Sequence, residues 1–274
     1  MTDDAGFIER FRIEAGGSAG FADRDPRDKA GFKDEVATKA ETAAVAKEID
    51  ALQDRLYAEG RRSLLVILQG TDTSGKDGTI RGVFNATGPL SVHVTAFKRP
   101  TEDELAHDYL WRAHLACPRR GTIGIFNRSH YEDVLVAKVR GLAPADEIGR
   151  RYAQINDFER MLSENGTRIL KFMLHLSRKE QKKRLQERLD DPAKHWKFNP
   201  GDLDDRQHWD DYQAAYETAL HRCSTAHAPW HVVPADRKWV RNAVIARVVR
   251  ATLQEMNPRY PQAEWKPSAF TIPD

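Results

Sequence analysis

Cysteine is nearly absent from this 274-residue sequence: Cys117 and Cys223 are the only two. They lack metal-ligand spacing, and no secretory context favours a disulfide between them. Long apolar runs are missing as well. None approaches the roughly 20 residues of a membrane-spanning helix, so no membrane partner is expected. The opening Met1-Thr2-Asp3-Asp4 has no basic-then-apolar leader pattern, which points to a cytoplasmic protein. Charge of one sign is also lacking. With 43 Lys and Arg against 41 Asp and Glu, the net charge is only +2. Together with the lack of a helix-turn-helix or RNA-binding motif, this argues against a nucleic-acid partner. There is no Ser–His or zinc constellation, no Asn-Lys-x-Asp guanine-reading motif, no internal repeat and no Pro/Gly-rich linker.

Short apolar runs alternate with helical patterns. Leu64–Leu68, Val92–Phe97, Thr122–Phe126, Ile169–Leu176 and Trp230–Val233 read as buried strands. Strands apolar on both faces and separated by helices predict a parallel sheet covered on both sides, an α/β domain. Ser/Thr-x-x-Glu capping boxes start at Thr101, Ser129 and Ser177, and Asp146–Glu164 reads as a helix closed by Asn165-Gly166. Residues 1 to about 30 read as a polar arm laid over the body, and Lys33–Ala58 as an Ala-rich helix stopped by Gly60.

The first strand runs into "GTDTSGKDG", from Gly70 to Gly78. Strand, glycine-bearing turn and helix start make the setting of a P-loop, whose backbone N–H groups attract phosphate. The phosphate-binding set is Gly70, Thr73, Ser74, Gly75, Lys76, Asp77 and Gly78, with Lys76 as the charge for the transferring group. At the end of the motif Asp77 replaces the usual hydroxyl. A carboxylate beside bound phosphate is repelled unless a cation lies between. Asp72 and Asp77 therefore imply Mg²⁺, with Mn²⁺ as the alternative.

The third strand ends in Asn127-Arg128-Ser129. Asn127 is a neutral oxygen ligand where P-loop enzymes usually place an acid, so metal binding leans on Asp72. Arg128 reads either as a bidentate phosphate binder or as a surface salt bridge. Glu132 and Asp133 are explained by a capping box and the helix dipole. Between Arg178 and Lys197 a basic helix reads either as a solvated face or as a phosphate grip. Transfer to a nucleotide's own phosphate needs no general base, so lysine, arginine and metal form a sufficient kit.

These stretches resemble the type 2 polyphosphate kinases, whose fold is similar to thymidylate kinase. The resemblance rests on "LLVILQGTDTSGKDGTIRGVF", "FKRPTEDELAHDYLWRAH", "GTIGIFNRSHYEDVLV", "RKEQKKRLQERLDDPAKHWKF" and "APWHVVPADRKWVRNAVIARVV". It implies a P-loop kinase-like three-layer α/β/α sandwich with a five-stranded parallel sheet and a helical lid. Residues 61–274 would form the catalytic domain, with the lid at about 178–205, and residues 1–60 an arm and helix packed on it. The implied reaction moves a terminal phosphate between inorganic polyphosphate and adenine or other purine nucleotides. Asp72, Lys76, Arg128 and Arg188 match catalytic positions, and Arg178 and Lys179 join the phosphate binders. Lys98, Arg99, Asn127, Glu132 and Asp133 are the nucleotide-binding candidates, and Asp72, Asp77 and Asn127 the metal-binding ones. Asn127 in place of Asp resembles the subclass using both AMP and ADP. Family members commonly form homo-oligomers. The rival enzyme reading is an ATP-dependent nucleoside monophosphate kinase; the rival outside enzymes is a nucleic-acid-binding module using the basic helix.

Overall fold

The computed structural model describes residues 4–273. Strands β1 (Ser63–Gln69), β2 (Val92–Ala96), β3 (Ile123–Asn127), β4 (Thr167–His175) and β5 (Trp230–Pro234) form one parallel sheet. Their order is β2-β3-β1-β4-β5. The helices preceding β3 are α1 (Asp4–Glu9), α2 (Glu35–Glu59), α3 (Lys76–Val83), α4 (Glu102–Leu105) and α5 (Trp111–Leu115). After it come α6 (Val136–Val139), α7 (Ala145–Glu164), α8 (Arg178–Asp190), α9 (Gly201–Gln207), α10 (Trp209–Cys223) and α11 (Lys238–Met256).

Successive strand side chains point to opposite faces, so β1 divides the core. Leu64, Val66 and Leu68 pack under α2, α3 and α11. Leu65 and Ile67 pack under α6, α7 and α10. Helix α7 buries Ile148, Tyr152, Ile155, Phe158 and Leu162, the three-and-four spacing of a single helical face. Each large side chain buried this way contributes roughly 1.5–3 kcal/mol. Asp34 caps α2 by accepting from Ala37 N at 2.6 Å, and Gly60, left-handed at φ 62°, ends it.

The arm folds in part as helix α1, which the sequence reading did not foresee. Further along, Ile13 N–H donates to Trp230 O and Val232 N–H to Phe11 O, both at 2.8 Å. The arm therefore runs antiparallel beside β5 and covers that edge of the sheet. The opposite edge differs from expectation. Its apolar run predicts a buried strand at β2, yet Val94 keeps 50% of its surface exposed, because an edge strand has a neighbour on one side only.

Candidate active site

The carboxyl end of β1 opens directly into the loop that holds Lys76. Gly70 sits at φ 145°, where an added Cβ would meet Leu174 O at 2.8 Å, so the loop's first turn has no room for a side chain. Lys76 begins α3 and turns Nζ back to Gly70 O at 2.7 Å and Thr71 O at 3.2 Å. Burial, then the charge of Arg128, brings its ammonium down to about 8, against the opposing pull of Asp72, Glu132 and Asp77. The hydroxyls of Thr71, Thr73 and Ser74 are buried and make no hydrogen bond. Buried polar groups of this kind are as a rule satisfied, so their concentration in one loop points to a polar ligand.

Across from the loop, β3 ends at Asn127, whose amide Nδ2 donates to Asp77 Oδ1 at 2.6 Å. Arg128 follows in the left-handed region at φ 62°, which is unusual for a side-chain-bearing residue. Its guanidinium pairs with Asp72 and lies 3.2 Å from Glu132. Glu132 chiefly, with Asp72, drives its pKa upward against burial. Ser129 accepts from Tyr131 N at 3.2 Å and from Gln69 Nε2 at 3.0 Å. The capping box expected at Ser129–Glu132 is therefore not formed, because the Glu132 carboxylate is committed to Arg128.

Beneath this loop lies a fully buried polar cluster. Lys171 Nζ donates to Glu159 Oε2 at 2.5 Å, to Tyr131 Oη at 2.8 Å and to Cys223 O at 2.7 Å. Glu159 Oε1 also accepts from Tyr131 Oη at 2.8 Å, with His130 Nε2 at 3.2 Å. Lys171 and His130 hold the Glu159 carboxyl below its ordinary range against strong desolvation. His130 is thus a packed residue whose ring helps anchor the loop from below.

In front of both loops runs a groove of about 520 Å³, lined by Lys76, Lys98, Arg188, Lys194, Lys197 and Lys238 among others. Arg184 and Arg241 also reach it, against the carboxylates of Asp72, Asp77 and Glu187. Cations clustered in a cleft raise the local concentration of a polyanion. Arg188 donates to Lys197 O at 2.9 Å and to Asp202 Oδ2 at 3.1 Å, and burial raises the Asp202 carboxyl to about 6.

The family model described as polyphosphate kinase 2 matches residues 32–261. This chain belongs to the polyphosphate kinase 2 family. It is 48% identical over 258 residues to the AMP/ADP-polyphosphate phosphotransferase of Meiothermus ruber, covering 94% of this chain and 97% of that one. It is 42% identical over 228 residues to the ADP-polyphosphate phosphotransferase of Rhodopseudomonas palustris, 79% of each chain. The crystal structure of polyphosphate kinase 2 from Arthrobacter aurescens superposes with a TM-score of 0.92 at 45% identity. That match covers 96% of this chain and 94% of the other.

Within this polyphosphate kinase 2 fold the expected residues fall into two groups. Asp72, Lys76, Asp77, Asn127, Arg128 and Lys98 converge on the groove, and Glu132 joins through Arg128. Arg99, Arg178 and Lys179 are exposed and stand outside it; Arg178 serves instead through its carbonyl, which accepts from Arg206 at 2.9 Å. Asp133 turns from the cradle toward Arg112 and Arg151, 3.9 and 3.7 Å away. Burial raises its carboxyl. The helix read as the start of a lid is tied down along its first half, where Gln181, Arg184 and Leu185 are buried.

Arg184, Lys238 and Arg241 escaped the sequence reading, although they stand in the quoted "RKEQKKRLQERL" and "ADRKWVRNA". Charge alone does not distinguish them from their basic neighbours. Among the described residues no three His, Cys, Asp or Glu side chains form a metal cage. Asp72 and Asp77 fit a different mode, in which Mg²⁺ takes one or two carboxylates and completes its octahedron with water and substrate phosphate.

Proposed function

We propose that this chain transfers the terminal phosphate of inorganic polyphosphate to AMP and to ADP, yielding ADP and ATP. It would do so with Mg²⁺, or Mn²⁺ in its place, in the cytoplasm and as a homo-oligomer. The observation that carries the reading is the single cationic groove that Lys76 and the loop around it share with Lys98, Lys194 and Lys197. Such a track suits a long phosphate chain, with family membership naming the donor class.

The acceptor oxygen is already ionised, so transfer needs alignment and charge neutralisation and no base. The acceptor oxygen bonds to the terminal phosphorus as the bridging P–O bond breaks, and the shortened chain leaves as an anion. Lys76 and the loop N–H groups hold the transferring group, and Arg128 offers a two-pronged contact to its oxygens. Asp72 and Asp77 would hold the metal, which neutralises charge between phosphate groups when bound. Asn127 steers Asp77 through its 2.6 Å hydrogen bond and is better suited to this than to direct ligation. Glu132, paired with Arg128 at 3.2 Å, would orient AMP.

Incubating the protein with AMP, Mg²⁺ and polyphosphate in the absence of ATP tests the reading. ADP followed by ATP is expected. If neither forms, while ATP plus AMP yields ADP, the chain is an ATP-dependent monophosphate kinase instead.

A further inference from the structure

Gly75 and Gly78 flank Lys76-Asp77, and what lies behind them is an arginine. A Cβ at Gly75 would fall 1.8 Å from Arg241 Nη1, and one at Gly78 would lie 3.0 Å from Nη2. Gly78 belongs to the first turn of α3, where glycine is up to roughly 1 kcal/mol less favourable than alanine. The two glycines open space for a guanidinium.

Arg241, on α11, is 2% exposed. Its donors go to Ser74 O at 3.1 Å and to Asn242 Oδ1 at 2.9 and 3.2 Å. No carboxylate pairs with it among the described residues. A second buried arginine, Arg184 of α8, grips the same strip of backbone. Its Nη1 donates to Thr73 O at 3.0 Å and Ser74 O at 3.4 Å, and its Nη2 to Ala235 O and Asp236 O, both at 2.8 Å. Burial chiefly, and then the nearby Arg184 charge, bring Arg241 down to about 9, while Arg184 keeps a carboxylate partner, Glu180, at 2.9 Å. An arrangement that costs charge burial and two glycines needs a return.

We infer that Arg184 and Arg241 are positioning residues, which set the peptide orientation of the P-loop by holding the Thr73 and Ser74 carbonyls away from the phosphate. A trans peptide is planar, so the N–H of Gly75 points opposite to the Ser74 carbonyl. With that carbonyl drawn to the guanidinia, the N–H is left for the anion. With it released, the peptide can turn and present an oxygen to the polyanion. Thr73, left-handed at φ 64°, sits in the segment this grip stabilises. Arg184 also joins the loop to the β5–α11 turn, so one side chain ties the base of the lid helix, the cradle and the last strand.

Both arginines line the groove, and direct contact with polyphosphate is the competing role. Calorimetric titration of the full chain with tripolyphosphate over a range of salt separates the two. It reads the cradle whether or not transfer to AMP occurs, so its failure is distinct from failure of the proposed reaction. In Arg184→Met and Arg241→Met, positioning predicts affinity at least about tenfold lower with an unchanged slope of log K against log salt. A slope shallower by about 0.7 per arginine, as for a lost ion pair to a single-stranded polyanion, overturns the inference. Gly78→Ala removes no charge and supplies a second test if the arginine variants do not fold. It should weaken tripolyphosphate several-fold alone and have no further effect in the Arg241→Met background. Wild-type affinity in Gly78→Ala, or equal losses in both backgrounds, would defeat the proposal.

Discussion

The two loops that face each other across the site are stabilised in opposite ways. The segment 70–78 offers backbone, and what fixes it is a pair of arginines on its carbonyls. The segment 127–133 offers side chains, Arg128 and Glu132, and what fixes it is the buried Glu159–Lys171 pair under His130 and Tyr131. A loop that is to bind through N–H groups would need its peptides oriented. A loop that is to bind through a guanidinium and a carboxylate would need its base held still. In each case the holding residues come from distant helices or strands, so the site's shape is a property of the whole sheet.

Removing the cradle's charge should do most to unbalance this pairing. Lys76→Ala is expected to lower transfer by about 10³-fold while the protein still folds cooperatively; near-normal turnover would take the P-loop out of the mechanism. Next comes the buried anchor of the opposite loop. Lys171→Met strands Glu159 without its cation and should cost about 3–5 kcal/mol in denaturant unfolding. Adding Glu159→Leu should recover most of that. If the double variant unfolds no later than the single one, the pair does not behave as an isolated buried ion pair.

A smaller effect follows from pH. Only the ammonium form of Lys76 attracts phosphate, and its pKa is lowered to about 8 in the free protein. The kcat/KM for polyphosphate should therefore fall as pH rises through about 8, and Lys76→Arg should move that limb upward. A profile flat to pH 10 would contradict the desolvated lysine. The mildest contrast is within the second loop. Glu132→Ala should reduce AMP use more than ADP use, by less than about tenfold; equal losses would deny Glu132 a place beside the acceptor.

How much of this was legible beforehand varied with the kind of force involved. The five strands and the glycine-bearing turn from β1 into α3 are readable because apolar runs and glycine spacing are local signals, and Thr101–Glu104 forms the capping box its spacing implies. At Ser129 the same spacing misled, because Arg128 competes for the Glu132 carboxylate and a local pattern cannot register a charge at the active site. β2 looked buried because apolar content does not reveal which strand ends the sheet. Arg184 and Arg241 were hidden among other basic residues, since only packing shows that they point inward to the loop while Arg178 and Lys179 point out. Lys171 is masked by the apolar strand around it; a lone lysine there is the available signal of a buried acid across the fold, here Glu159.

The two edges of the sheet carry a consequence for assembly. The arm's bonds to Trp230 and Val232 occupy the β5 side, whereas β2 ends the sheet on the other side, with Val94 exposed. A sheet with one free edge can extend only once. Two chains meeting β2 to β2 across a two-fold axis would use up the available hydrogen-bonding rows and stop, whereas a sheet open at both sides could propagate as a fibre. The backbone bonds of Phe11 and Ile13 thus take the β5 side out of any such pairing.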